Sequence, residues 1–225
     1  MIKKILTKIL KSIVYTYLEK GKWNHSVTSE NVNYFAGVHN LFLRTKDVPG
    51  HIIELGCGDG RNAIIFGNLL KLYNLTHSKK YFGFDSFEGY PIEVLKDNPD
   101  FDKTRFKYDL ENVNLRLLNE KLNEVCKIIK GVLPKSLNNF FESEEKFRKD
   151  YLKISIVYID CNDYKTALSS VEILSPYFSR GCIIAVDENT LGGETKALKD
   201  FCNRKNLVFK NGDLKGVISS YAQIT

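Results

Sequence analysis

Short runs of almost entirely apolar residues, separated by segments with helical periodicity, constrain the fold of this chain most strongly. The three clearest runs are IIEL at 52–55, ISIVYI at 154–159 and CIIAV at 182–186. A strand is apolar on both sides only when both faces of its sheet are covered, as in parallel sheets flanked by helices. The pattern therefore predicts an α/β fold with helices on both faces of a mostly parallel sheet.

The alternation continues along most of the chain and then changes. We predict parallel strands at His51–Leu55, Lys80–Asp85, Val125–Lys130, Ile154–Asp160 and Cys182–Asp187. Helices are predicted at about 60–72, 109–124, 137–149, 164–177 and 193–205. Two further strand-like runs, 206–210 and 216–221, are separated only by a short turn-forming loop, so they indicate a hairpin. The prediction is a seven-stranded sheet that ends in an antiparallel hairpin.

Length and composition favour one ordinary domain. The 225 residues include 33 Lys+Arg and 27 Asp+Glu, a net charge of +6 that is too small for a dedicated nucleic-acid binder. The five cysteines are scattered and form no CxxC pair, which indicates neither a zinc site nor a disulfide framework. We therefore expect a cytoplasmic protein with reduced thiols that binds no nucleic acid.

The first 20 residues carry apolar side chains at helical spacing, interrupted by lysines. They are too broken by charge to span a bilayer, so we predict an amphipathic helix and no transmembrane segment. Such a helix packs against the domain or a sister subunit, or binds an anionic membrane surface peripherally. We expect a homo-oligomer in which residues 1–44 form a helical arm and residues 45–225 form the main domain.

A glycine-rich loop, HIIELGCGDGRNA at 51–63, joins the first predicted strand to a helix. Glycines at such a turn allow a tight backbone and the close approach of a ligand. Arg61 stands where a dinucleotide fingerprint needs a small residue. Glu54 would repel a pyrophosphate but suits a ligand with an ammonium group. The loop thus favours a cationic ligand over a nicotinamide dinucleotide, although an oxidoreductase on a related fold stays open as an alternative.

Acidic and amide side chains follow three of the predicted strands. Asp85 ends the second strand, where a carboxylate can accept both hydroxyls of a ribose. Asp160, Asn162 and Asp163 follow the fourth strand, and Asp187, Glu188 and Asn189 follow the fifth. Carboxyl ends of neighbouring parallel strands share one rim, and such oxygen donors suit Mg²⁺. Asp163 and Asn189 can instead cap the structures that follow them.

These motifs resemble those of class I S-adenosylmethionine-dependent methyltransferases, which share a Rossmann-like fold with a C-terminal hairpin. Within that class the chain resembles the macrocin O-methyltransferase family over roughly residues 45–205. The resemblance is carried by VPGHIIELGCGDGRNA, YFGFDSFEGYP, KGVLPKSL, VYIDCNDY and GCIIAVDEN. The stretch FDSFEGYP at 84–91 is the most specific, because the general fold does not require it.

The resemblance implies a role for each matching residue. The methionine part of S-adenosylmethionine would be held by Glu54, Gly56, Gly58 and Gly60. Its ribose would be held by Asp85, with Ser86 beside it, and its adenine would lie near Gly131 and its neighbours. The implied Mg²⁺ ligands are Asp160, Asn162, Asp187 and Glu188. Asn162 departs from the family's D-x-D-x-Y pattern, so we expect weaker metal binding. Asp163 could substitute for the missing acid.

The implied activity is Mg²⁺-assisted O-methylation of a hydroxyl on a sugar, a glycosylated small molecule or a glycan. Our hypothesis makes Asp160 the general base or a metal ligand. A non-catalytic relative of the methyltransferases is the other open alternative. Aromatic residues Trp23, Tyr34, Phe35 and Phe42, together with a predicted loop at 92–109, are candidates for covering the acceptor.

Overall fold

A computed structural model describes residues 28–97, 99–100, 102, 106–143, 152–187, 193–212 and 218–225. The amphipathic helix predicted over residues 1–20 lies outside these described residues, as do Trp23, Glu188 and Asn189.

Within these described ranges, seven strands form one sheet. They are β1 (His51–Leu55), β2 (Tyr81–Asp85), β3 (Cys126–Lys130), β4 (Ile154–Ile159), β5 (Phe178–Val186), β6 (Phe209–Asn211) and β7 (Ser220–Gln223). Their spatial order is β3-β2-β1-β4-β5-β7-β6. The first five run parallel, and β7 pairs antiparallel with both β5 and β6. The Rossmann-like fold and the antiparallel C-terminal pair predicted from the sequence are thus confirmed.

Seven α-helices surround the sheet in the described part of the chain. They are α1 (Ser29–Thr45), α2 (Arg61–Leu72), α3 (Ile92–Asp97), α4 (Leu110–Asn119), α5 (Lys135–Ser143), α6 (Tyr164–Leu174) and α7 (Glu194–Lys205). A short 3₁₀ helix, Ser175–Tyr177, follows α6 and contains Pro176. None of the described helices combines the length and the apolar character needed to cross a membrane.

The core consists of two hydrophobic clusters, one on each face of the sheet. Helices α1, α2 and α4 contribute to one cluster, and α5, α6 and α7 contribute to the other. Strand β4 shows why its sequence is apolar throughout. Ile156 and Tyr158 face the first cluster, whereas Val157 and Ile159 face the second, so successive side chains are buried on opposite faces.

Several boundaries differ from the prediction: β5 begins at Phe178 rather than at Cys182, α4 ends at Asn119 rather than near residue 124, and β7 covers Ser220–Gln223 rather than 216–221. Two further differences have local reasons. Strand β6 begins at Phe209, not at residue 206, because Asn206 adopts a left-handed conformation (φ 56°) that ends α7. The segment predicted as a loop over 92–109 contains α3, whose Val94 is buried. Later in the same segment, Lys107 forms an isolated antiparallel bridge with Glu88, which follows β2.

Candidate active site

A cleft with a volume of about 310 Å³ lies at the carboxyl ends of the parallel strands. Strands β1 and β4 are neighbours in the sheet but not in the sequence, so the chain order reverses between them. Ligands of open α/β sheets bind at such a point. The sequence-predicted residues that line the cleft are Glu54, Gly56, Gly58, Asp85, Ser86, Asp160, Asn162 and Asp187. Gly60 and Gly131 lie beside it without lining it.

The glycine loop needs its first glycine for packing against the protein itself. Gly56 has φ 90°, and a Cβ atom there would lie 2.0 Å from the carbonyl oxygen of Asp160. Any larger residue would therefore separate the ends of β1 and β4. The loop ends at Gly60, which adopts φ 78° as the N-terminal cap of α2. Gly56 thus allows the two strand ends to meet, a role that the sequence pattern alone does not reveal.

Glu54 is a buried carboxylate with its own set of donors. It is 1% exposed, and its Oε1 accepts a hydrogen bond of 2.6 Å from Nδ2 of Asn62. Tyr81 donates its hydroxyl to Oε2, and Tyr34 donates to Oδ1 of Asn62 at 2.7 Å. Burial raises the pKa of Glu54 to about 8. A cationic ligand in the cleft would favour the ionised carboxylate.

Asp85 connects the glycine loop to the turn that follows β2. Its Oδ2 accepts a hydrogen bond from the Gly58 amide at 2.9 Å, and its Oδ1 accepts one from the Phe87 amide at 2.7 Å. Burial raises the pKa of Asp85, and these backbone donors oppose that rise. A carboxylate has about four acceptor positions, so capacity remains for a ligand hydroxyl. Ser86 instead donates its hydroxyl to the Gly89 carbonyl at 2.9 Å.

The end of the cleft beside β2 and β3 is apolar and aromatic. The described residues there are Tyr90, Val94, Phe106, Tyr108, Val132 and Leu133. The rings of Tyr90 and Phe106 pack edge to face, with centroids 5.5 Å apart. Gly131 adjoins this end, and its amide donates to the Asp85 carbonyl at 2.8 Å. The predicted loop at 92–109 therefore supplies part of the wall, and Tyr34 is the one aromatic of α1 among the lining residues described.

The other end of the cleft, beside β4 and β5, gathers carboxylates. Asp160 and Asp187 follow these adjacent strands, and the Asp187 amide donates to the Ile159 carbonyl at 3.0 Å. Tyr158 donates its hydroxyl to Oδ1 of Asp187. Burial raises the pKa of Asp160 well above its ordinary value, and repulsion from Asp187 and Glu194 raises it further. This end of the cleft therefore favours the uptake of a proton or a cation.

The polar residues in the turn after β4 have different contacts. Asp163 caps α6, because its Oδ2 accepts a hydrogen bond from the Thr166 amide at 2.7 Å. The capping alternative weighed from the sequence is thus the observed one for Asp163, which is not among the residues lining the cleft. Asn162 lines the cleft and has φ 56°. Its left-handed backbone is one that asparagine tolerates better than most residues.

The described residues contain no group of three or more His, Cys, Asp or Glu side chains placed to hold a metal ion. Asp160, Asn162 and Asp187 nevertheless line one cleft, so two carboxylates and one amide are available there. Glu188 lies outside the described residues. Crowded carboxylates with raised affinity for positive charge are the donor chemistry that a hard cation requires.

Two residues near the acids were not among the site residues predicted from the sequence. Arg61 is the one cationic side chain among the described lining residues, and its guanidinium lies 3.7 Å from the ring centroid of Tyr34. Glu194 begins α7 and is 1% exposed. Its position in the sequence is that of an ordinary first-turn acid, so only the tertiary structure reveals its contacts with the β4 turn.

Comparison with known proteins supports the same fold. A family model described as macrocin-O-methyltransferase (TylF) matches residues 38–217. CalS11, described as a calicheamicin methyltransferase, is 19% identical, with a TM-score of 0.68 over 84% of this chain and 77% of that one. The O-methyltransferase NovP is 17% identical, with a TM-score of 0.65 over 84% of this chain and 79% of that one.

An O-methyltransferase from Bacillus cereus, solved in complex with SAH, is 10% identical, with a TM-score of 0.55 and complete coverage of both chains. None of the curated proteins compared with this chain matches it. At these identities the structural similarities establish the fold.

Proposed function

The chain belongs to the macrocin-O-methyltransferase family and is a methyltransferase, and we propose that it transfers the methyl group of S-adenosylmethionine to a sugar hydroxyl. The observation that carries this proposal is the cleft at the strand ends, which is apolar and aromatic beside β3 and acidic beside β5. A nucleoside fits the first end, and a sulfonium next to a hydroxyl acceptor fits the second.

The cofactor's ribose is assigned to Asp85 because its carboxylate is held rigidly and retains acceptor capacity. Ser86 lies beside it in the turn. The adenine is assigned to the apolar wall that Val132 and Leu133 form next to Gly131. Stacking on apolar and aromatic surfaces is the usual way in which a base is held.

The methionine part is assigned to the space between Glu54 and the glycine loop of Gly56, Gly58 and Gly60. The cofactor's ammonium and sulfonium are positive, and Glu54 supplies a negative charge at the floor of this space. Arg61 opens α2 and lies over Tyr34, where its guanidinium is available for the methionine carboxylate. A nicotinamide dinucleotide has no such zwitterionic end, so these charges disfavour the oxidoreductase alternative.

Asp160 is assigned the role of general base. Methyl transfer is an in-line displacement, and the protein contributes mainly by aligning the acceptor oxygen behind the methyl group. A sugar hydroxyl is a weak nucleophile, so a carboxylate that can take its proton accelerates the reaction. Asp160 lines the cleft, and its raised pKa brings it closer to the proton affinity of the acceptor.

The same residues fit a divalent cation. Asp160, Asn162 and Asp187 would hold Mg²⁺, with Glu188 as a further ligand. When bound, the cation would lower the pKa of the acceptor hydroxyl. Asn162 contributes an oxygen without a charge, so binding should be weaker than at an all-carboxylate site. Asp163 does not replace the missing acid, because its carboxylate caps α6.

We also propose that the protein works in the cytoplasm as a homo-oligomer on a small-molecule or glycan acceptor. All five cysteines are free, and four of them are buried, which suits a reducing compartment. The exposed Val32 and Phe35 of α1 provide apolar surface next to the start of the described chain. Size-exclusion chromatography with light scattering measures the oligomeric state directly.

The test of the proposed function is binding followed by turnover. Calorimetry should detect binding of S-adenosylhomocysteine, and the same titration with NAD should detect none. Methyl transfer from S-adenosylmethionine is then measured against a panel of glycosides and nucleotide sugars, with and without EDTA. Binding of NAD in place of S-adenosylhomocysteine would contradict the proposal, and so would transfer only to acceptors without a sugar.

A further inference from the structure

Glu194 connects the turn after β4 to the beginning of α7. Its Oε1 accepts hydrogen bonds from the backbone amides of Cys161 at 2.6 Å and Asn162 at 2.9 Å. These donors lie more than 30 residues earlier in the chain. The carboxylate is 1% exposed, so water does not compete for these bonds. Two consecutive amides that donate to one carboxylate oxygen form a directional attachment.

The turn that Glu194 holds has an unusual backbone. Asn162 adopts φ 56°, and the amides of Cys161 and Asn162, which precede the Asn162 Cα atom, both donate to the Glu194 carboxylate. The turn begins at Asp160, whose amide donates to the Leu55 carbonyl at 2.8 Å. Strand β1 therefore holds one side of the turn, and Glu194 holds the other.

Glu194 also joins the two chain segments that carry the acids of the cleft. The turn after β4 contains Asp160 and Asn162, and α7 begins shortly after Asp187 at the end of β5. Gly193, with φ 78°, precedes Glu194 and starts the helix. An acid at this position usually offsets only its own helix dipole, whereas here its oxygen accepts bonds from a different segment.

We propose that Glu194 is a positioning residue for methyl transfer, which fixes the turn that carries Asp160 and Asn162 relative to the rest of the cleft. This inference rests on the proposed function, because it assigns these two residues to the acceptor side of the reaction. A displacement of about 1 Å at a reacting group costs about 100-fold in rate. The two hydrogen bonds that Glu194 accepts from the turn oppose such a displacement.

The experiment compares E194A with E194Q. The amide oxygen of glutamine can accept the same two backbone bonds, whereas alanine leaves both amides without this acceptor. For E194A we expect kcat to fall about 10- to 100-fold and the Kd for S-adenosylhomocysteine to change by less than about threefold. For E194Q we expect kcat within about fivefold of the wild type. The acceptor is the glycoside on which the wild type is most active.

Hydrogen exchange followed by mass spectrometry reports on the turn without any substrate. The peptide spanning 159–166 should exchange faster in E194A than in the wild type and should be protected again in E194Q. If E194A is folded and keeps the wild-type kcat, the positioning role is refuted. The same holds if its exchange is unchanged. If E194Q is as slow as E194A, the negative charge matters and not the geometry of the acceptor, and the proposal is again wrong.

A matched control separates position from general stability. Leu174→Ala removes a buried side chain at the far end of α6 from the turn, and such a change typically costs about 2–5 kcal/mol. This variant should lose thermal stability while its kcat stays near that of the wild type. A wild-type protein that binds no S-adenosylhomocysteine would contradict the proposed function. The exchange data would still show separately whether Glu194 holds the turn.

Discussion

The buried carboxylates at the two ends of the cleft have surroundings with opposite effects on their pKa. At the end of β2, burial raises the pKa of Asp85, and the amides of Gly58 and Phe87 counteract the rise. At the end of β4, burial raises the pKa of Asp160, and nearby carboxylates raise it further. The first carboxylate is thus stabilised as a fixed acceptor, whereas the second has a high affinity for positive charge.

The two carboxylates therefore suit different tasks, one in binding the cofactor and the other in the methyl-transfer step. A group that orients a ribose should not change its charge during the reaction, and the backbone donors to Asp85 favour its ionised form. A group that takes a proton or shares a cation must be able to gain positive charge, and crowding makes Asp160 ready to do so. Substitutions at the two ends should therefore affect different steps.

The largest expected effect is that of Asp160→Ala. Loss of a general base typically costs about 10²- to 10⁴-fold in rate, so kcat should fall by that amount. The Kd for S-adenosylhomocysteine should stay within about twofold of the wild type, because the nucleoside is assigned to the opposite end of the cleft. Calorimetry and a methyl-transfer assay measure the two quantities. Wild-type turnover by this variant would remove Asp160 from the mechanism.

Asp85→Ala should reverse that pattern. It removes a charged acceptor assigned to the ribose, and such hydrogen bonds contribute about 1.5–3 kcal/mol each. We expect the Kd for S-adenosylhomocysteine to rise about 10- to 100-fold, with a smaller effect on kcat at saturating cofactor. Asp85→Asn is the control, because it keeps one oxygen acceptor. Its Kd for S-adenosylhomocysteine should lie between that of the wild type and that of Asp85→Ala. A variant with unchanged affinity but low kcat would break the comparison between the two ends.

Asn162→Asp should strengthen the binding of Mg²⁺ at the acidic end of the cleft. It restores a second acid in the turn, and both residues tolerate the left-handed backbone at this position. Because ligand charge tunes the affinity for a divalent cation, we expect the Mg²⁺ concentration for half-maximal activity to fall about tenfold. The assay is a magnesium titration after treatment with EDTA. An activity that EDTA leaves intact in both proteins would rule out the proposed metal site.

The last comparison, Glu54→Gln, concerns stability as a function of pH and not catalysis. Burial raises the pKa of Glu54 from about 4.5 to about 8 in the folded protein. The folded state therefore binds this proton more tightly, and the resulting stabilisation is complete below pH 4.5 and lost as the pH rises through 8. Glutamine does not titrate, so the variant should lack this loss.

The readout is the melting temperature of the cofactor-free protein between pH 5 and pH 9, where each kcal/mol corresponds to about 2–4 °C for a domain of this size. The melting temperature of the wild type should fall relative to that of Glu54→Gln as the pH rises. Parallel curves for the two proteins would show that Glu54 is ionised throughout this range.

Most of the sheet could be predicted from the sequence because its strands are buried on both faces. The predicted bounds of β1 agree with the structure, and β4 differs by one residue, since apolar runs end where polar residues meet the rim. The start of β6 was misplaced because the left-handed turn at Asn206 depends on how α7 ends. Helix α3 was missed because six residues are too few to show helical periodicity.

The sequence by itself determined which residues stand at the carboxyl ends of the strands, because the alternation of apolar runs and turns is a local property of the chain. That was enough to bring Glu54, Asp85, Asp160 and Asp187 to one cleft. The tertiary structure alone decided what each carboxylate contacts. The burial and charge that set a pKa come from residues distant in sequence, as the attachment of Glu194 to the β4 turn illustrates.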